Sequence, residues 1–566
     1  MNNLNTEQRK VFALGLDGAT FSLIRPWVEK GELPYLERLM KEGVHGVLDS
    51  IIHPFSAQAW TSFMTGQNPG KHGIFDFIEE DPYTYDFHFI NASSRKSKSL
   101  WKILSEEGKK VCVVNVPFTY PAEKVNGCLI AGMDAPGLES DFIYPRSLYQ
   151  EIKKEIGNYV IELSVRDYIR NNKEEEFLKA ISDTIDMRVK TIKYLAKNKP
   201  WDFFLAVFRA TDQVQHFFWK YMDPEHPFYE KYDVLQNAIL DVYKKLDAGI
   251  EMIHGLLPPE TTLVIMSDHG EMGNGNKAIY LNKWLESLGL LNFKGTSRGN
   301  FTYSKLILRC RPLARKILSR KMKNFIIRKI PQIRDMTETM ISYSQVDWSR
   351  TKAYSDEMRG NIRINLKGKK EKGIVLPGPE YENLINMIKQ KLLEIVDPET
   401  DEKIFENIYS REEIYDGPFV EKAPNILLER KESGYLPIYR PSCTVKNSGF
   451  FQAFAKEDVA KDPPPNGGHS LKGILLMKGK GIKRRCEIKG AKIIDLAPTI
   501  LHLMGLSIPN SMHGKVLEGA LEEDYREQNP IRFKFDDSVS SSNIGEYTEE
   551  ESKIIEARLK DLGYLG

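Results

Sequence analysis

Little in this sequence leans to an extreme, and each thing it lacks removes a class of protein. Its five cysteines, Cys112, Cys128, Cys310, Cys443 and Cys486, are scattered and never form a Cys-x-x-Cys pair. That argues against a disulfide framework or a zinc knuckle and points to a reducing, cytoplasmic setting. No apolar run approaches the ~20 residues needed to cross a bilayer. The polar start, and an apolar stretch at 11–16 that stops at Asp17, are too short for a signal-peptide core. Charge of one sign is lacking as well. Lys and Arg number 80 against 78 Asp and Glu, so nothing pulls the whole chain toward nucleic acid, and none is expected as a partner. No internal repeat is present.

What is there is a series of short apolar runs, each bounded by turn residues and separated from the next by helical patterns. They lie at 11–16, 111–114, 203–208, 263–266 and 474–477. Such a series predicts an α/β fold with a mainly parallel central sheet covered by helices on both faces. In sheets of this kind ligands gather at the carboxyl ends of the strands. Asp17, Asp212 and the pair Asp268-His269 all follow apolar runs directly, so they can converge on one rim.

The length of 566 residues holds two to four domains' worth of chain. Residues 8–295 read as the first part of a catalytic core. Residues 296–345 break the pattern, because 297–334 is rich in Lys and Arg, almost free of acids, and interleaved with Leu, Ile and Phe. The favoured reading is a basic helical flap packed on the core; the sharper one is a surface that meets anionic lipid headgroups, peripheral to a membrane. Residues 346–520 carry the rest of the core together with an α+β segment, including a strand near 362–366 and a helix near 381–395. The Pro- and Gly-rich loop 463–468 delivers His469. Residues 521–566 form an acidic, Ser-rich tail, a surface strap or mobile segment, and a terminal helix.

Six side chains carry the chemistry. Asp212 and His216 stand four apart, so on a helix they share a face and can bind one ion together. Asp268-His269-Gly270 follows a strand, where a glycine turn can aim both side chains into a crevice; the plainer reading makes Asp268 a cap for a following helix. His469 follows Gly467-Gly468, which permit close backbone approach, or which simply make a loose loop. With Asp17 these make three carboxylates and three imidazoles, enough for two divalent cations. Ser56 precedes a helical stretch at 57–65, so its oxygen lies near unpaired backbone N–H groups that would welcome a phosphoryl dianion. From the residues alone, an ordinary N-cap is the stronger reading of Ser56. His72 and His226 read as structural.

The order of these pieces carries more than any one of them. Asp17, Ser56 with Thr65-Gly66, Pro69-Gly70-Lys71-His72-Gly73-Ile74, Asp212-x-x-x-His216, Ser267-Asp268-His269-Gly270 and Gly468-His469 together resemble the alkaline phosphatase superfamily. The nearest branch is the type I phosphodiesterase/nucleotide pyrophosphatase group, and within it the phosphohydrolase or phosphomutase relatives. Val346-Asp347-Trp348-Ser349, Arg411-Glu412-Glu413-Ile414-Tyr415, Asp495-Leu496-Ala497-Pro498-Thr499 and the terminal Leu562-Gly563-Tyr564-Leu565 strengthen that closer match. The resemblance covers nearly the whole chain outside the basic insertion and the acidic tail.

It implies an alkaline phosphatase-like fold and a hydrolase acting on phosphoric esters. One cation would be held by Asp212, His216 and His469, the other by Asp17, Asp268 and His269 with the Ser56 oxygen. Zinc is the first expectation and manganese the second, in keeping with mixed imidazole and carboxylate donors. Ser56 would be the nucleophile and would form a phosphoenzyme. A transferase or phosphomutase with an alcohol acceptor would use the same residues, and an inactive, metal-stabilised binding protein would keep the ligands alone. One departure stands out. Nucleotide pyrophosphatases place an asparagine shortly after the His-Gly-Ile, and this chain has Phe77 there, preceded by Asp76. Asn115, after the strand at 111–114, is the candidate replacement for gripping the substrate.

Overall fold

The apolar runs become the strands of one ten-stranded sheet in the computed structural model, which describes residues 9–294, 343–439, 449–453, 465–536 and 545–564, apart from 170, 358, 433, 435 and 563. In chain order the strands are β1 (Lys10–Leu16), β2 (Val44–Asp49), β3 (Val111–Val116), β4 (Gly127–Ala131), β5 (Ile143–Tyr144), β6 (Phe203–Phe208), β7 (Thr261–Met266), β8 (Lys472–Lys478), β9 (Cys486–Glu487) and β10 (Ala491–Lys492). Their order across the sheet is β9-β2-β8-β7-β1-β6-β3-β4-β5, with β10 also beside β2. The central strands β7, β1, β6, β3 and β4 are parallel. Every residue of β3, β6 and β7 is buried, as strands covered on both faces must be. Toward the edge, β2 alternates buried and half-buried positions instead.

The expected α/β class with a mainly parallel central sheet holds. The direction of β8 was not legible, and it runs antiparallel to both β2 and β7. The cause is local. Residues Gly467–Ser470 form a strand that pairs antiparallel with Gly270–Gly273, just beyond β7, and only Leu471 separates that strand from β8. The antiparallel register therefore carries straight into the sheet.

Helices Glu174–Asn198, Ala210–Met222 and Ala238–His254 pack against one another beside the sheet. In the first of them Phe177, Ile181, Ile185, Ile192 and Leu195 recur at helical spacing and are buried. A second core belongs to the α+β segment, where Ala353–Tyr354, Asn361–Ile364, Ile426–Arg430 and Phe405–Ser410 form a four-stranded sheet. The helix expected near 381–395 is Pro379–Leu393 and packs on that sheet through Leu384, Ile385 and Ile388. Buried Glu80 ties the two parts together, accepting from the Tyr354 hydroxyl at 2.8 Å and pairing with Arg363 at 2.8 Å and Lys370 at 2.9 Å.

The terminal helix Glu549–Asp561 starts with a capping box between Thr548 and Glu551. It docks on the core through Ile555, Leu559 and Leu562. The expected basic insertion at 297–334 and residues 537–544 of the acidic tail lie outside the described residues. No helix among the described residues is long and apolar enough to cross a membrane.

Candidate metal centre

The rim formed by the ends of β1, β6 and β7 gathers the six expected side chains into one buried pit. Asp17 ends β1, where its backbone N–H donates to Phe208 at 3.0 Å and its carbonyl accepts from the Thr211 hydroxyl at 2.5 Å. β6 runs into helix Ala210–Met222, which places Asp212 in the first turn, where the helix dipole favours a carboxylate, and His216 one turn on. After β7, Ser267 ties the turn to the strands around it, donating to Ala19 at 2.9 Å and accepting from the Ile474 N–H at 2.8 Å. Asp268 and His269 follow. The next element is the strand Gly270–Ile279, so Asp268 caps no helix. His469 arrives by strand pairing, opposite Glu271 in the register.

All three imidazoles are oriented in the same way. His216 Nδ1 lies 3.0 Å from the Gly467 carbonyl, His269 Nδ1 2.9 Å from that of Gly270, and His469 Nδ1 2.9 Å from that of Pro54. A carbonyl only accepts, so each Nδ1 carries the proton and each Nε2 turns a lone pair inward. Burial holds His469 neutral down to about 3, helped by neighbouring His269, and holds His269 neutral down to about 4.

Those lone pairs face carboxylate oxygens and one another. Asp212 Oδ1 is 3.2 Å from His216 Nε2 and 3.3 Å from His469 Nε2, and the two Nε2 atoms are 3.1 Å apart. His269 Nε2 is 3.4 Å from Asp268 Oδ2 and 3.6 Å from Asp17 Oδ1, and its ring stacks on His469 with centroids 3.7 Å apart. Asp17 Oδ1, Asp212 Oδ1, Asp268 Oδ2 and His269 Nε2 are buried with no hydrogen-bond donor. Acceptors crowded against acceptors are costly unless a cation lies between them. The donor atoms fall into overlapping groups, Asp17/Asp268/His269, Asp212/His269/His469 and Asp212/His216/Glu271, each within 4.8 Å. These residues, with their mixed N and O donors, fit divalent cations.

The electrostatics agree. Burial, with Asp17 and Asp212 as like-charged neighbours, pushes the Asp268 carboxyl well above its usual range, and burial raises Asp17 as well. Burial would raise Asp212 too, but the Arg209 guanidinium 2.8 Å away is the largest opposing influence, and the carboxyl is held well below its usual range. Arg209 is the one buried cation touching the cluster among the described residues. It stands 2.8 Å from Asp17 Oδ1 and 2.8 Å from Asp212 Oδ2, with Glu162 at 3.5 Å. These contacts are at ion-pair distance but lack hydrogen-bond alignment. Replacing Arg209 by methionine leaves two buried carboxylates without a counter-charge. In chelator the variant should lose about 3–5 kcal/mol of unfolding free energy in urea titration, part of which added cations restore.

Three participants were missed. Arg209 sits three residues before Asp212, a spacing that could have signalled the ion pair. Glu271, fully buried, accepts from Gln215 at 3.1 Å and lies 3.3 Å from His216 Nδ1, so it is a further candidate for orienting that ring. Tyr564 was seen only as part of a terminal motif. Its hydroxyl is 2.7 Å from Ser56 Oγ.

Ser56 is not a cap either. Phe55 holds the N-cap position, and Ser56 is the first residue of helix Ser56–Thr65, with its side chain fully buried. The helix and the residues leading into it touch the pit on both sides of Ser56. Trp60 Nε1 donates to Asp17 Oδ2 at 3.0 Å, and the Pro54 carbonyl receives His469. Asn115, expected to grip substrate, stays out of the donor cluster. It has a left-handed φ of 62° and donates to the Val207 carbonyl at 3.3 Å, on the Arg209–Glu162 side of the pit. His72 bonds Ser62 and the Ile74 N–H, and His226 holds the carbonyl of Asn466 and the N–H of Phe228, as structural residues do.

With this geometry in hand, comparison with known proteins adds a family and a fold. The model of the type I phosphodiesterase / nucleotide pyrophosphatase family matches residues 11–452. Among solved structures, phosphonoacetate hydrolase from Sinorhizobium meliloti, in complex with phosphonoformate, superposes with a TM-score of 0.50 at 13% identity, covering 87% of this chain and 94% of that one. Human ectonucleotide pyrophosphatase / phosphodiesterase 5 gives 0.48 at 13% identity, covering 92% and 99%. At such identity the likeness to the phosphonoacetate hydrolase is one of fold alone. No curated protein matches the sequence significantly.

Proposed function

The chain belongs to the type I phosphodiesterase / nucleotide pyrophosphatase family and is a phosphoester hydrolase, and from that premise we propose that it works through a Ser56 phosphoenzyme beside two divalent cations. The observation that carries this reading is the crowding of three imidazole lone pairs and three carboxylates, four of their atoms without donors, next to a buried serine at a helix start. Asp212, His216 and His469 would hold one cation, and Asp17, Asp268 and His269 the other. Bound there, the cations supply Lewis acidity that eases ionisation of the serine hydroxyl and offsets charge on the leaving oxygen. Zinc is the first choice and manganese the second.

The chain's own residues do the rest. The Pro54 carbonyl and Trp60 fix Ser56 against the pit. Ser56 Oγ gives up its proton to solvent and bonds to phosphorus as the ester P–O bond breaks, and the departing oxygen takes a proton from water. A second water removes the phosphoryl group and restores the serine hydroxyl. Arg209 holds Asp17 and Asp212 in place throughout. With an alcohol in place of the second water the same residues would transfer the group instead, as a transferase or mutase does.

Incubating the metal-loaded protein with phosphomonoesters, phosphodiesters and sulfate esters, with and without added alcohols, tests the reading. Phosphorus esters should be cleaved with water as acceptor. Preference for sulfate esters would reject the substrate class, and phosphoryl alcohols as the main product would make it a transferase. The cytoplasmic assignment is part of the same proposal and rests on the scattered cysteines, none of them in a Cys-x-x-Cys pair.

A further inference from the structure

The hydroxyl of Ser56 makes one hydrogen bond among the described residues, and its partner comes from the other end of the chain. Tyr564 lies 508 positions away, with its hydroxyl 2.7 Å from Ser56 Oγ. Nothing about this contact is loose. Helix Glu549–Asp561 is pinned to the core by Arg558, whose guanidinium donates to the carbonyls of Met133 at 2.7 Å and Pro136 at 3.3 Å, and by Ser164, which donates to Asp561 at 3.1 Å. Ahead of the helix, Tyr547 stacks on Tyr120 at 5.6 Å and donates to the Asp134 carbonyl at 2.7 Å.

The helix then turns back on itself. The Tyr564 N–H bonds the Leu559 carbonyl at 2.8 Å, a closing bond of the kind that ends helices. Arg359, itself paired with Asp76, donates to the Tyr564 carbonyl at 3.3 Å. The tyrosine ring meets Phe77 edge-on at 5.2 Å and His469 at 5.7 Å. Backbone, carbonyl and ring are all fixed, and the one free end of the residue touches the nucleophile.

A phosphoryl group on Ser56 needs donors for its non-bridging oxygens, and beyond the backbone N–H groups that open helix Ser56–Thr65 the side chains of the pit offer few. Its carboxylates only accept, its imidazole protons are committed to backbone carbonyls, and Arg209 is shared between Asp17 and Asp212. Phe77 offers no polar atom. Resting on the Ser56 reading above, we propose that Tyr564 is a catalytic residue supplied by the C-terminus, donating a hydrogen bond from its hydroxyl to a non-bridging oxygen of the phosphoryl group as it joins Ser56 Oγ. The phenol keeps its proton; no bond to it forms or breaks. A donor already in contact with Oγ stands within reach of oxygens on a phosphorus bonded to that atom.

Tyr564→Phe removes the hydroxyl and leaves the ring packing on Phe77 and His469. Loss of one such donor lowers kcat by about 10²–10³-fold in comparable sites. The variant should therefore show kcat/KM down about 100-fold on a phosphoester the wild type cleaves, with melting temperature and metal content unchanged. It should also bind inorganic phosphate about tenfold more weakly by calorimetry, a readout that a merely structural tyrosine would not move. Wild-type kcat/KM together with wild-type phosphate affinity in the variant would overturn the proposal. A rise in activity would overturn it too, since Tyr564 would then be a plug. Ser56→Ala, measured alongside, separates the two levels: if that variant still turns over, the Ser56 reading has failed, whereas an inactive Ser56→Ala beside a fully active Tyr564→Phe refutes only the role of the tyrosine.

Discussion

Ser56→Ala should abolish ester cleavage, by at least about a thousandfold, while the protein keeps its cations and its fold. The expectation follows from what the hydroxyl does in the folded chain. It caps no helix, because Phe55 occupies that position, and Tyr564 is its sole hydrogen-bond partner among the described residues, so alanine costs the fold little. The six other donors to the pit, from Asp17 to His469, do not depend on it. Trp60 on Asp17 and His469 on the Pro54 carbonyl keep the helix start in place without the serine oxygen. Activity and metal content should therefore separate, with turnover lost and elemental analysis unchanged. Robust turnover by the variant would move the nucleophile elsewhere, with a directly activated water as the first alternative.

Much of this centre is legible in the chain because of how parallel sheets are built. A strand buried on both faces must be apolar along its length, so β1, β6 and β7 show as short runs, and the residue that ends the run is the residue at the rim. Asp17 and Asp268-His269 could be placed on that basis, and Asp212 sits in the first turn of the helix that follows β6. His216 followed from helical spacing, and His469 from the glycines that let its strand approach. Gly467 has no room for a side chain, since a Cβ there would lie 2.4 Å from the Gln215 carbonyl oxygen.

The rest was hidden for physical reasons. The spacing of Arg209 from Asp212 hints at one ion pair, but its second carboxylate, Asp17, is brought to it only by the pairing of β1 with β6. Glu271 faces the pit only because its strand pairs with the one that carries His469, a long-range register with no local signature. Tyr564 depends on a helix docking from the far end of the sequence. Asn115, expected to grip substrate, lies within β3 with a left-handed φ; its amide nitrogen is committed to the Val207 carbonyl, while its Oδ1 has no partner among the described residues.

Asp268→Asn tests the cation cage itself, and its two expected effects have opposite signs. Without metal, Asp268 is a burden to the fold. It is fully buried, its Oδ2 has no donor, and burial together with Asp17 and Asp212 pushes its carboxyl well above the usual range. A neutral amide of the same shape relieves that repulsion, so in chelator the variant should be at least as stable as the wild type. With metal the ranking should invert. A ligand that binds only the folded state adds about 2.7 kcal/mol per site at a hundredfold excess over Kd, and removing one anionic donor of three weakens that binding. Elemental analysis should show occupancy falling from about two ions per chain toward about one, with the Asp212, His216 and His469 site retained. Thermal melts of both proteins with and without zinc complete the test: the wild type should gain stability on loading and the variant should gain distinctly less. If the two proteins respond to zinc alike and hold equal amounts of it, the pit is not a two-cation site, and the lone pairs facing each other around Asp212 and His269 would need another explanation.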